Sequence, residues 1–130
     1  MPFSQMGFRP LHDGVYLISN DKHRDHTLAS IDNSIKAMES GYSLWRVTFH
    51  PSDSAYEITH MNSGLVIDLY GGDASPGTNI ITFAAHDGPN QRWRIQQLDQ
   101  GPLVVCSYII NVIGDEKSTS PRARWYFKKT

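Results

Sequence analysis

Three tryptophans constrain this chain most, because each sits in the same kind of segment. Leu44-Trp45-Arg46-Val47, Arg92-Trp93-Arg94-Ile95 and Arg124-Trp125-Tyr126-Phe127 all mix bulky apolar and charged residues over a few positions. Alternation of that kind suits a strand with one buried and one wet face, so an inward tryptophan sends its flanking arginines outward. A turn precedes each segment: Glu39-Ser40-Gly41, Asp87-Gly88-Pro89 and Ser118-Thr119-Ser120-Pro121. A unit met three times restricts the chain to architectures built from equivalent pieces.

Reading outward from these anchors gives about twelve short strand candidates separated by Gly, Pro, Asn, Asp and Ser. The first third offers Gly14–Ile18, Thr27–Ile31, a weak third strand and Trp45–Phe49. The middle offers Ala55–Thr59, Leu65–Leu69, Ile80–Phe83 and Trp93–Gln96; the last offers Leu103–Cys106, Tyr108–Ile113 and Trp125–Lys128. The one stretch with any helical reading is Asp32 to Ser40, with Ile35 and Met38 on one side, and it lacks a full apolar stripe. Four strands, three times over, in roughly 40 residues each describe an all-β chain of the β-trefoil class, a six-stranded barrel closed by three hairpins. The expectation is one domain over residues 1–130, with repeats at about 11–52, 53–99 and 100–130. The last repeat is short of one strand between Gly114 and Arg124.

Charge narrows the partners. Twelve basic residues stand against thirteen acidic ones, for a net charge of −1, so there is no electrostatic case for nucleic acid. No apolar run approaches the roughly 20 residues of a membrane span, and no membrane insertion is expected. The single cysteine, Cys106, lies in the apolar run Leu103-Val104-Val105-Cys106 and excludes an intramolecular disulfide. Met1 to Met6 has neither a basic start nor a long apolar stretch, so no signal peptide is read and a cytoplasmic location is expected.

Chemistry concentrates in the middle repeat. Ser63-Gly64-Leu65-Val66-Ile67-Asp68-Leu69-Tyr70-Gly71-Gly72-Asp73 is followed by Pro76-Gly77-Thr78, by Ile80-Ile81-Thr82-Phe83, and by Gly88-Pro89-Asn90-Gln91-Arg92-Trp93. A pyranose offers neighbouring hydroxyls and one patch of C–H surface, so its site needs a fixed charged acceptor, an amide that gives and takes, and an aromatic platform. Asp68, Asn90 and Phe83 are residues of those three types. The segment resembles the ricin B-type lectin repeat, with its aspartate closing the second strand and its Gln-x-Trp at the fourth. Its wording, Asp-Leu-Tyr-Gly-Gly-Asp and then Pro-Gly-Thr, is similar to the ricin-B-type proteins of mushrooms, often cytoplasmic defence proteins.

That resemblance implies sugar binding by Asp68, stacking by Phe83, and further bonds from Asn90 beside Gln91. The Gly71-Gly72 turn would bring a backbone N–H to the ligand, and His86 would take a polar role, since Ile81 stands where the family often has a polar residue. The partner implied is a glycan, with galactose, N-acetylgalactosamine and other sugars left open, and a homodimer is compatible with a chain carrying one site. No cofactor and no catalytic residue is implied. Ser43 and Ala123 replace the glutamine in the first and third repeats, and Asn111 stands at the third aspartate position.

Plainer readings stand beside this one. Asp68 can cap the Tyr70-Gly71-Gly72 turn, while Asn90 and Gln91 satisfy loop backbone. Asp13 to Leu17 and Arg124 to Phe127 are similar in outline to fungal trefoil protease inhibitors of the mycocypin type, for which Asp21–His26 or Ser118–Arg122 would be the inhibitory loops. A protein-binding trefoil without a sugar site is the remaining alternative. Asp21-Lys22-His23-Arg24-Asp25-His26 places two histidines among acids, but Lys22 and Arg24 repel a cation and no further ligand stands at a recognisable spacing, so no metal is expected.

Overall fold

Ten antiparallel strands form in the computed structural model, which describes residues 11–20, 25–39, 43–73, 79–97, 103–107 and 124–130. They are β1 (Gly14–Asn20), β2 (Thr27–Ile31), β3 (Ser34–Met38), β4 (Trp45–His50), β5 (Ala55–His60), β6 (Val66–Leu69), β7 (Ile80–Phe83), β8 (Trp93–Gln97), β9 (Leu103–Ser107) and β10 (Arg124–Lys129). Six of them, β1, β4, β5, β8, β9 and β10, pair in that order, and β10 returns to β1 with Tyr16 opposite Lys129 and Asn20 opposite Trp125. The ring is closed, so the barrel has no free strand edge.

Two hairpins, β2–β3 and β6–β7, lean on this ring and touch each other where Ser34 meets Ile81. The first turns through Asp32 and Asn33, both left-handed at φ 50° and 64°. A two-residue turn of that kind matches the twist of the strands it joins, and Asp and Asn tolerate it best among residues with a side chain. The Asp32–Ser40 stretch is therefore no helix over its described part; it is a turn followed by the third strand. The candidates Tyr108–Ile113, Asn111, Ala123 and Ser118–Arg122 lie outside the described residues, as do Asp21–Arg24.

The core follows the alternation. Trp45 and Val47 of β4, Tyr56 and Ile58 of β5, Ile18 of β1 and Ile95 of β8 are at most 2% exposed, with Trp93 of β8 close behind. A buried indole N–H needs an acceptor. Trp45 Nε1 donates to Leu28 O at 3.1 Å and Trp93 Nε1 donates to Ile67 O at 3.1 Å, so each tryptophan ties its own hairpin to the barrel in the same way. Trp125 is half-buried and packs against the core.

The outward turn expected of the arginines holds for Arg46 but not for Arg92, which is 3% exposed. Its backbone is extended at φ −112° and ψ 139°, so the side chain leaves the Trp93 face but meets carboxylates there instead of water. Arg92 Nε donates to Asp53 Oδ2 at 3.0 Å and Nη2 to Asp87 Oδ1 at 2.9 Å, with Glu57 3.6 Å from Nη1. Burial alone would lower the guanidinium pKa; the bonds to Asp87 and Asp53 and the field of Glu57 outweigh it, and the net direction is up. Among the described residues no helix is long and apolar enough to cross a membrane.

Candidate functional site

Strand β6 presents its residues alternately to two sides. Ile67 faces the interior, where it lines an apolar cavity of about 110 Å³ with Leu28 and Trp93, and Asp68 faces the other way. Across the ladder, Asp68 is opposite Ile81 and Val66 is opposite Phe83. Phe83 therefore lies on the same face as Asp68, diagonally across the hairpin, and is 52% exposed.

Asp68 itself is only 3% exposed. A buried carboxylate is costly without partners, and the 3-10 turn Pro89–Gln91 supplies two. Asn90 Nδ2 donates to Asp68 Oδ1 at 3.0 Å, and Gln91 Nε2 donates to Oδ2 at 2.9 Å. Both amides are themselves anchored: Asn90 Nδ2 also reaches Leu69 O at 3.2 Å, and Gln91 Nε2 reaches Ala84 O at 2.9 Å. Gln91 Oε1 accepts from the His86 amide at 2.9 Å, which fixes the loop after β7. A carboxylate has about four acceptor directions, so two remain after the amides are bound.

His86 is exposed, with Nε2 3.7 Å from Asp68 Oδ2 and its ring edge-on to Phe83 at 6.3 Å. Asp68, Phe83, His86, Asn90 and Gln91 are thus brought together. Gln91 is fully buried, so it holds the carboxylate and offers no surface to a ligand. The residue before the Tyr70–Gly72 turn is Leu69, which has no polar side chain to cap it, and the hydrogen bonds that Asp68 accepts come from the two amides. Gly71 and Gly72 are left-handed at φ 63° and 67°. A Cβ on Gly71 would meet no protein atom within 4 Å, and its left-handed backbone favours glycine there.

The first repeat supplies the control. With Leu28 and Ile67 equivalent through their indole bonds, the position of Asp68 is taken by Ala29, 1% exposed. Ser43 stands in place of Gln91, and its Oγ meets His60 Nε2 at 3.0 Å, while His60 Nδ1 meets Ser63 Oγ at 2.8 Å. His60 lies against Trp45 with ring centres 5.0 Å apart, and burial lowers its pKa. The carboxylate and its amide are absent together.

Against known families, residues 41–117, more than half of the chain, match the one described as ricin-type beta-trefoil lectin domain-like. The chain belongs to that family. Its β-trefoil fold is shared with ThreeFoil, a designed 3-fold symmetric protein, at a TM-score of 0.75 and 18% identity over 91% of this chain and 100% of that one. The Polyporus squamosus lectin, solved with a human-type influenza-binding epitope, aligns at a TM-score of 0.73 and 21% identity, over 92% of this ricin-type domain and 50% of the lectin. A GlcNAcα1-4Gal releasing endo-β-galactosidase from Clostridium perfringens aligns at 0.72 and 10% identity, over 89% of this chain and 32% of the enzyme. No curated protein sequence matches the chain.

One grouping escaped the sequence. Ligand atoms of Asp25, His26 and Glu39 lie within 4.8 Å of one another at the open end of the β2–β3 hairpin. Glu39 is distant in sequence from the histidine pair, and only the hairpin register brings it near.

Proposed function

We propose that this domain binds carbohydrate through one site in the middle repeat, with Asp68 as the charged acceptor at its floor. Phe83 is the platform for the apolar sugar face, and Asn90 and His86 are the polar rim. The observation that carries the reading is the buried Asp68–Asn90–Gln91 cluster. The fold does not need it, because the first repeat makes the same indole tie with Ala29 and Ser43 in those places.

The chemistry suits a sugar. Hydrogen bonds to a carboxylate contribute about 1.5–3 kcal/mol each where well formed, and a carboxylate already held by two amides loses little freedom when a ligand arrives. A single shallow site gives affinities nearer mM than nM, roughly −4 to −8 kcal/mol, so two copies acting together would raise avidity. The reading is one of binding, not of catalysis; the lectin and glycosidase neighbours lend it the fold alone.

The test is a glycan array followed by titration calorimetry on the wild-type protein, Asp68→Ala and Phe83→Ala. Phe83 is exposed, so its replacement leaves the fold within about 0.5 kcal/mol of wild type and separates binding from stability. The expected result is binding by the wild type and at least a roughly tenfold loss, about 1.4 kcal/mol, in each variant. A wild type that binds no glycan at millimolar concentration, or two variants that bind like wild type, would overturn the assignment.

A further inference from the structure

Gly88 is the one described glycine of this site whose missing side chain is demanded by its neighbours. Its backbone is extended, at φ −76° and ψ 159°, a conformation open to any residue. Yet a Cβ there would stand 2.5 Å from His86 Cε1, 2.7 Å from His86 Nδ1 and 2.8 Å from Asn90 Oδ1. Contacts that short do not occur, and Asn90, bonded to both Asp68 and Leu69 O, has little room to yield. The space is filled by the imidazole folding back on the chain: the Gly88 amide donates to His86 Nδ1 at 3.1 Å.

That bond has a chemical consequence. A neutral imidazole carries one proton, and a nitrogen that accepts a hydrogen bond cannot be the one that carries it. With Nδ1 accepting, the proton of neutral His86 is on Nε2, the nitrogen 3.7 Å from Asp68 Oδ2. We propose that Gly88 is a positioning residue of the site, which by lacking a Cβ holds His86 as its Nε2–H tautomer beside Asn90 Oδ1. Both N–H groups of Asn90 are taken by Asp68 and Leu69 O, so Oδ1 is its remaining acceptor. The rim therefore carries a donor on His86, 3.7 Å from Asp68 Oδ2, and an acceptor on Asn90. A hydroxyl answers both, since it accepts and donates at once; an ether or a methylated hydroxyl answers only the donor. The ligand consequence rests on the carbohydrate reading above; the tautomer does not.

The experiment joins a spectroscopic readout to a binding one. In uniformly ¹⁵N-labelled protein in alkaline buffer, a ¹⁵N–¹⁵N coupling across the hydrogen bond between Gly88 N and His86 Nδ1 is expected, with the ring proton on Nε2. Gly88→Ala should abolish that coupling and weaken binding of the best array glycan roughly tenfold. In a His86→Ala background the same Gly88→Ala change should cost less, because the collision with the ring is gone and only the 2.8 Å approach to Asn90 Oδ1 remains. If the wild type shows no coupling, or carries the proton on Nδ1, the proposal fails whether or not any glycan binds. If coupling is present and no glycan binds, the tautomer assignment stands and the carbohydrate reading falls. A Gly88→Ala protein that binds like wild type, or whose loss is the same in the His86→Ala background, would overturn the positioning role.

Discussion

The first and second repeats solve the same structural problem with different interiors. Both tie a hairpin to the barrel by a tryptophan N–H bonded to a strand carbonyl, at 3.1 Å in each case. Beside that tie, the first repeat has Ala29 and a serine–histidine pair, and the second has Asp68 clasped by two amides. The turns differ as well: two residues, Asp32 and Asn33, close the first hairpin, whereas the second spans the whole stretch between Leu69 and Ile80. The tie belongs to the scaffold and the clasp does not. The architecture manages without that charged cluster in one repeat and carries it in the other.

Three changes break or sharpen that contrast. The largest effect is expected from Ala29→Asp, which buries a carboxylate where no amide awaits it and costs about 4–5 kcal/mol. Adding Ser43→Gln should return part of that loss, and chemical denaturation of the single and double variants measures how much; a double variant no more stable than Ala29→Asp alone would show that the two positions are not coupled. Next is Gln91→Ala, which strips a fully buried partner from Asp68 and should cost about 3 kcal/mol, while Ser43→Ala should cost under about 1 kcal/mol. Equal losses would erase the distinction between the repeats.

The smallest effect is acid sensitivity at His60. Its folded pKa lies below the ordinary value, so the unfolded chain binds that proton more readily and stability rises with pH across the interval between the two values. The contribution is intact above about pH 6.5 and is lost as the pH falls through the ordinary histidine value toward the depressed one. Thermal melts should show a shallower decline on acidification in His60→Gln than in the wild type; parallel curves would remove His60 as the cause.

The tryptophan segments made the barrel legible, because alternation around a bulky residue is a local signal. The aspartate, aromatic and amide of the middle repeat were legible for the same reason, lying within about one supersecondary unit. What escaped depends on register or on space. Ser34–Met38 is a strand despite exposed Lys36 and Ala37, and its signal was the Asp32-Asn33 pair, two residues that accept left-handed turns. Arg92 looked like a solvated residue because Asp53 and Glu57, which help to bury it, lie far from it in the linear string. Gly88 looked like ordinary turn punctuation, since nothing in a linear string shows that the His86 ring folds back on it. Gln91 was legible as a site residue but not as a buried one.

The barrel seam carries a kinetic consequence. β1 and β10 join positions far apart in sequence, down to the Thr130 hydroxyl that donates to Val15 O across a separation of 115 residues. Closing so long a loop costs entropy that grows only with the logarithm of its length, yet none of it is recovered until the last strand docks. A chain whose ring is completed by its most distant partners should fold in milliseconds to seconds, not microseconds. During that interval β1 and β10 are open edges, so the rate at which the seam shuts governs how long the nascent barrel can pair with a neighbour instead of with itself.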